Sequence, residues 1–132
     1  MPEPTAEESL ELAKSHLERA QTAWYDPTDW TDLTTYGFYC LEAAVMAASD
    51  HLGLDVQRTH RGKVEGAEVL ARKYKLPDVS GLLVDLNIAR KSYAYGGVEA
   101  PDLSAEELAS ELESFVEAVE GLMSKKKKKK KR

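Results

Sequence analysis

Residues 33–48, with the sequence LTTYGFYCLEAAVMAA, decide the fold because they predict a helix that is apolar on more than one face. Apolar residues at helical spacing form one stripe, which consists of Leu33, Tyr36, Cys40, Ala43 or Ala44, and Ala47. Phe38, Tyr39 and Met46 widen this stripe. We therefore expect burial on two sides, against the helix's own bundle and against a partner subunit.

The rest of the chain predicts four more helices. Thr5 and Ser104 each precede a glutamate by three residues, a capping-box pattern, so we expect helices to begin there. A third helix is expected over about residues 63–74, a fourth over about 79–95, and the fifth should end near Ser124. No alternating pattern typical of a strand occurs in the sequence. The predicted fold is an all-α, up-and-down bundle of about five helices in one domain, residues 1–124.

The charge of the chain is unevenly distributed. Residues 125–132 are seven lysines and an arginine, and without them ten basic residues face 23 acidic ones, a net charge of −13 instead of −5. Such a run repels itself, so we predict a disordered basic tail. The tail is either an electrostatic arm for nucleic acid or anionic lipid, or a tag that only keeps the protein dispersed.

Several classes of protein are disfavoured. No apolar run approaches the roughly 18 residues of a membrane span, and the first residues do not resemble a signal peptide, so we expect a cytoplasmic protein without a membrane contact. A single cysteine, Cys40, excludes an internal disulfide framework, and its place on an apolar face predicts a buried structural thiol. Without a glycine-rich phosphate loop or Cys/His metal spacing, we expect no cofactor and no metal.

The middle of the chain is basic. Six basic residues lie between positions 58 and 75, namely Arg58, Arg61, Lys63, Arg72, Lys73 and Lys75. This patch either binds RNA, a nucleotide or an acidic partner, or is a solvated face that balances the acidic helices. Glu42, the one charge in the middle of the second helix, is either a rim residue or a carboxylate that faces Arg90. His16 lies off the apolar stripe of the first helix and is expected to face solvent.

Residues 85–97, DLNIARKSYAYGG, end the fourth helix, since paired glycines are a C-terminal stop signal. Arg90 lies one turn before Tyr93 and close to Tyr95. One interpretation is packing of the guanidinium on an aromatic face. The other is a nucleotide or phosphate site, because arginine offers phosphate a fixed and always charged fork.

The chain resembles a HEPN domain over about residues 5–123. The order of helices is similar, with a long second helix rich in alanine and aromatic residues and a fourth helix that ends in the motif. HEPN ribonucleases carry an arginine, four to six variable residues, and a histidine. Arg90 stands at the arginine position, Tyr95 stands at the histidine position and is followed by Gly96, and Lys91 stands where Asn or Asp is frequent.

The resemblance implies a homodimer of a toxin–antitoxin or defence type system, with Arg90 and Tyr95 in the dimer groove. Such a dimer would bind RNA, a nucleotide or a partner nucleotidyltransferase. A tyrosine, with a reference pKa near 10, is a poor general base at neutral pH, so we expect weakened or lost catalysis. The binding residues would be Arg90, Lys91, Tyr93, Arg61 and Lys63. The alternatives are an active metal-independent ribonuclease toxin, in which Tyr95 or His60 replaces the histidine, and a structural or regulatory helical protein without a nucleotide site.

Overall fold

The protein, described by a computed structural model over residues 3–24, 27–96 and 101–130, is a bundle of five helices. These helices are α1 (Ala6–Ala23), α2 (Trp30–His51), α3 (His60–Tyr74), α4 (Ser80–Tyr95) and α5 (Ala105–Lys130). No strand occurs in these ranges. The predicted all-α fold is confirmed.

Side-chain caps fix where four of the helices begin. Thr5 and Glu8 form the predicted capping box of α1, since the Thr5 hydroxyl accepts from the Glu8 N–H at 3.1 Å and the Glu8 carboxylate accepts from the Thr5 N–H at 2.9 Å. Asp29 caps α2, Thr59 caps α3, and the Ser104 hydroxyl accepts a backbone hydrogen bond in the first turn of α5. Each cap contributes about 1 kcal/mol.

Helix α2 is the centre of the bundle and contacts all four other helices. Leu33 and Leu41 of α2 are fully buried, and Phe115 of α5 is the largest fully buried side chain. Phe38 and Met46, which widened the apolar stripe, are also buried within the chain. The other helices of the same chain thus cover part of the apolar surface of α2, while Tyr39, which also widened the stripe, is 40% exposed. The partner subunit stays a prediction.

Cys40 lies on α2 in the hydrophobic core of the bundle and is not part of a disulfide bond. Burial raises the pKa of its thiol to about 12, because a thiolate would lose its hydration there. A thiol that stays protonated is a poor nucleophile, so the prediction of a structural cysteine is confirmed.

The C-terminal end of α5 lies beyond the predicted end near Ser124. The prediction of a disordered tail over 125–132 concerns residues that lie outside the part of the chain with described side chains. Across the described ranges, no helix combines the length and the apolar character needed to cross a membrane.

Candidate functional site

Three aromatic rings of α2 contact one another or a shared neighbour and are joined by basic side chains from three other helices. We call this cluster the α2 aromatic face. It consists of Tyr36, Phe38 and Tyr39 of α2, His16 and Arg19 of α1, His60 of α3, and Arg90 of α4. Each member contacts another, so residues far apart in the sequence form one connected cluster, in which Phe38 is buried.

Arg90 lies at the α4 end of this face. Its guanidinium carbon is 4.5 Å from the centroid of the Phe38 ring, a cation–π contact. The packing interpretation correctly placed Arg90 on an aromatic face, but the ring belongs to α2 and not to a neighbouring tyrosine. Arg90 is half-buried, its Nε is buried without a hydrogen-bond partner, and it forms no ion pair with any described residue. Its charge is therefore not neutralised by the described part of the chain.

His60 approaches the same ring from α3. The centroids of His60 and Phe38 are 5.5 Å apart, so the structure brings His60 and Arg90 to one ring although 30 positions separate them. Glu42 lies 3.9 Å from His60 Nδ1 and 3.5 Å from Lys63 Nζ. The side chain of Glu42 is only 16% exposed, and its ion-pair partners lie on α3. The predicted pairing with Arg90 is not found among the described ion pairs.

The α1 end of the face is built around His16. Its ring stacks on Tyr36 at a centroid distance of 5.9 Å and is tilted against Tyr39 at 5.5 Å. Arg19 lies over the Tyr36 ring at 5.2 Å and donates a hydrogen bond of 3.0 Å to its hydroxyl. The prediction that His16 faces solvent was wrong, because these tyrosines cover it. Burial, and to a lesser degree the charge of Arg19, lowers the pKa of His16.

A small pocket of about 180 Å³ opens beside Tyr39, between α1, α2 and the beginning of α3. We call it the Tyr39 pocket. Its apolar wall includes Leu12 and Met46, and its polar wall includes His16, Glu42 and Lys63. Lys63 and Glu42 thus connect the pocket to His60 and, through Phe38, to Arg90.

The other predicted site residues are spread over the surface. Tyr93 stacks on Trp30, with centroids 6.2 Å apart and planes at 15°. Tyr95 is 83% exposed at the end of α4, and Lys91 is exposed one turn earlier. Arg61 is exposed and pairs with Glu65 at 3.7 Å. Of the predicted set, only Arg90 belongs to the α2 aromatic face, and only Lys63 lines its pocket.

Sequence reasoning missed the α1 contribution to this face. The spacing of Tyr36 and Tyr39 places both rings on one side of α2, and His16 and Arg19 have the same spacing on α1. These two pairs of residues, with the same spacing on neighbouring helices, were the signal in the sequence for a contact between α1 and the tyrosines of α2.

Comparisons with known proteins leave the family open. No protein-family model matches the chain, and neither curated proteins nor solved structures give a match. Within the described ranges, no group of three or more His, Cys, Asp and Glu side chains is placed to hold a metal ion.

Proposed function

We propose that this protein is a HEPN-like helical module that binds RNA or a nucleotide on the α2 aromatic face, with weakened or lost catalysis. Arg90 is the phosphate contact. The observation that carries this proposal is the half-buried guanidinium of Arg90, held on Phe38 without an ion-pair partner among the described residues. A guanidinium held in place and not neutralised binds phosphate strongly, because little rotamer entropy is lost on binding.

The composition of the surface supports the same ligand. Nucleic-acid sites without base-pair readout combine cations that follow the phosphates with aromatic rings that stack on bases. On the α2 aromatic face, Arg19 and Arg90 supply the cations, and the partly exposed rings of Tyr36 and Tyr39 are available for stacking. The body of the chain has a net charge of −13, so the attraction must be local and strongly dependent on salt.

Weakened catalysis follows from the position of Tyr95. General acid–base chemistry needs the catalytic group within hydrogen-bond reach of the reacting oxygen. Tyr95 is the most exposed large hydrophobic residue of the described part and lies at the end of α4. The homodimer and the partner nucleotidyltransferase belong to the proposal through the family resemblance alone.

The test is the affinity for a fluorescent single-stranded RNA, measured by anisotropy at several salt concentrations. Arg90→Gln should weaken binding about tenfold, because one phosphate contact is lost. The slope of the logarithm of the binding constant against the logarithm of the salt concentration should become shallower by about one. Both chains keep residues 125–132, so any contribution of the lysine run cancels.

Arg72→Gln is the matched control. Arg72 is exposed on the last turn of α3, about 18 Å along the helix from His60, and should bind like the wild type. Equal affinities for Arg90→Gln and Arg72→Gln would overturn the proposal.

Active metal-independent cleavage is the second candidate, because His60 and Arg90 meet at one ring. His60 would be the general base and Arg90 would stabilise the charge on phosphorus. The same RNA, incubated with EDTA and separated on a gel, decides between the candidates. Cleavage by the wild type that is lost in both Arg90→Gln and His60→Gln would favour the ribonuclease, and intact RNA favours the binding module.

A further inference from the structure

We propose that the Tyr39 pocket binds an unpaired nucleobase whose phosphate contacts Arg90. This inference rests on the proposed function and adds a second subsite to it, with a defined chemistry. It also restricts the ligand, since a base inside a duplex is stacked and cannot enter a pocket.

The pocket has the walls that a planar heterocycle needs. The Tyr39 side chain is 40% exposed although it contacts the rings of Tyr36, Phe38 and His16, so its neighbours hold it in place while part of its surface stays open. A ring that is fixed before binding loses little entropy when a base stacks on it. Leu12, 49% exposed, provides an apolar surface on the α1 side of the same pocket.

Polar atoms around the pocket favour a heterocycle over a purely apolar ligand. His16 lines the pocket, and its Nδ1 is buried without a hydrogen-bond partner within the described chain. Glu42 supplies a largely buried carboxylate, which accepts hydrogen bonds from an exocyclic amine. Lys63, with a side chain 18% exposed, supplies a cation at the same wall.

Two neighbouring rings connect the pocket to Arg90. Phe38 and Tyr39 are adjacent in sequence, with ring centroids 6.1 Å apart, and Arg90 lies on Phe38 while Tyr39 lines the pocket. His60 Nδ1, also buried without a hydrogen-bond partner, lies between them beside Glu42. A free nucleoside monophosphate and one nucleotide of a single-stranded RNA present the same base and phosphate.

The test compares Tyr39→Leu, Tyr39→Phe and Arg90→Gln in the full chain. The probes are a labelled single-stranded RNA, the duplex of the same sequence, adenosine 5′-monophosphate and inorganic phosphate. Tyr39→Leu should weaken binding of the single strand roughly 5- to 100-fold, the range for loss of one stacked base, and Tyr39→Phe should retain it. Duplex affinity should be the same in Tyr39→Leu and the wild type.

The two small probes separate the base from the phosphate. Adenosine 5′-monophosphate should raise the melting temperature of the wild type more than that of Tyr39→Leu, and inorganic phosphate should act equally on both. A response of the wild type to the single strand but not to the mononucleotide identifies RNA as the source of the base, and a response to both admits either source.

Three results would contradict the inference. If Tyr39→Leu binds the single-stranded RNA like the wild type while Arg90→Gln binds it weakly, the pocket does not bind a base and the proposed function stands. If Tyr39→Leu loses binding of inorganic phosphate as much as binding of the single-stranded RNA, Tyr39 has a structural role only. Absence of RNA binding by the wild type removes both the pocket and the proposed function.

Discussion

His16 is a histidine that the fold prefers to keep neutral. Burial against the tyrosines of α2, with the charge of Arg19 nearby, lowers its pKa in the folded chain. The unfolded chain therefore binds a proton at this position more readily than the folded chain does. It follows that His16 contributes to stability above its unfolded pKa of about 6.5, and that this contribution is lost as the pH falls below that value.

Replacement of His16 by glutamine should show this dependence. The free energy of unfolding of the wild type should fall between pH 7 and pH 5 more steeply than that of His16→Gln, because only the wild type gains a proton on unfolding at this position. Urea denaturation at several pH values measures both curves. Parallel curves would mean that His16 titrates alike in the folded and unfolded chains.

At the scale of the element, the beginning of α3 decides where two candidate site residues lie. Gly62, between His60 and Lys63, packs so closely on the preceding loop that a Cβ atom would lie 2.3 Å from the Gln57 carbonyl oxygen. This close approach lets Thr59 cap the helix at 2.9 Å and directs His60 and Lys63 towards Glu42. Glycine is required here by the space, since its backbone conformation is helical.

Gly62→Ala should destabilise the fold by about 1–3 kcal/mol, because the clash is with backbone and the loop must move. Gly81→Ala is the control, since a Cβ there meets nothing within 4 Å and alanine is the better helix former. It should stabilise α4 by roughly 0.5–1 kcal/mol. Urea denaturation of both variants is the measurement, and a neutral Gly62→Ala would show that the loop yields without cost.

The contrast between interactions within one helix and packing between helices explains what the sequence could predict. Caps such as those of Thr5 and Asp29, and the apolar stripes of the helices, depend on neighbours within one or two turns, so both were predictable. The meeting of Arg90 and His60 on Phe38 depends on how α3 and α4 pack across α2. The sequence around Arg90 or His60 does not determine how close these two residues come to each other. For the same reason, the sequence of α2 did not show that the chain itself buries Phe38 and Met46.

At the scale of the whole molecule, the remaining exposed apolar surface lies mainly on α4. Val84 is 39% exposed, Ile88 is 37% exposed, and Tyr95 is 83% exposed. Their spacing of four and seven residues places them on one stripe of the helix, with Lys91 beside them. The homodimer expected from the family resemblance would therefore find most of its exposed apolar surface on α4, with Tyr39 of α2 as a smaller part.

A charge on this stripe tests the dimer. Sedimentation velocity of the wild type should give a dimer, and Ile88→Glu should shift it to the monomer, because each interface would bury two unpaired carboxylates. Leu12→Glu is the matched control, since Leu12 is 49% exposed on α1, outside this stripe. A wild type that stays monomeric at high concentration would remove the shared groove. The Tyr39 pocket and the contact of Arg90 with Phe38 would remain, since both are built within one chain.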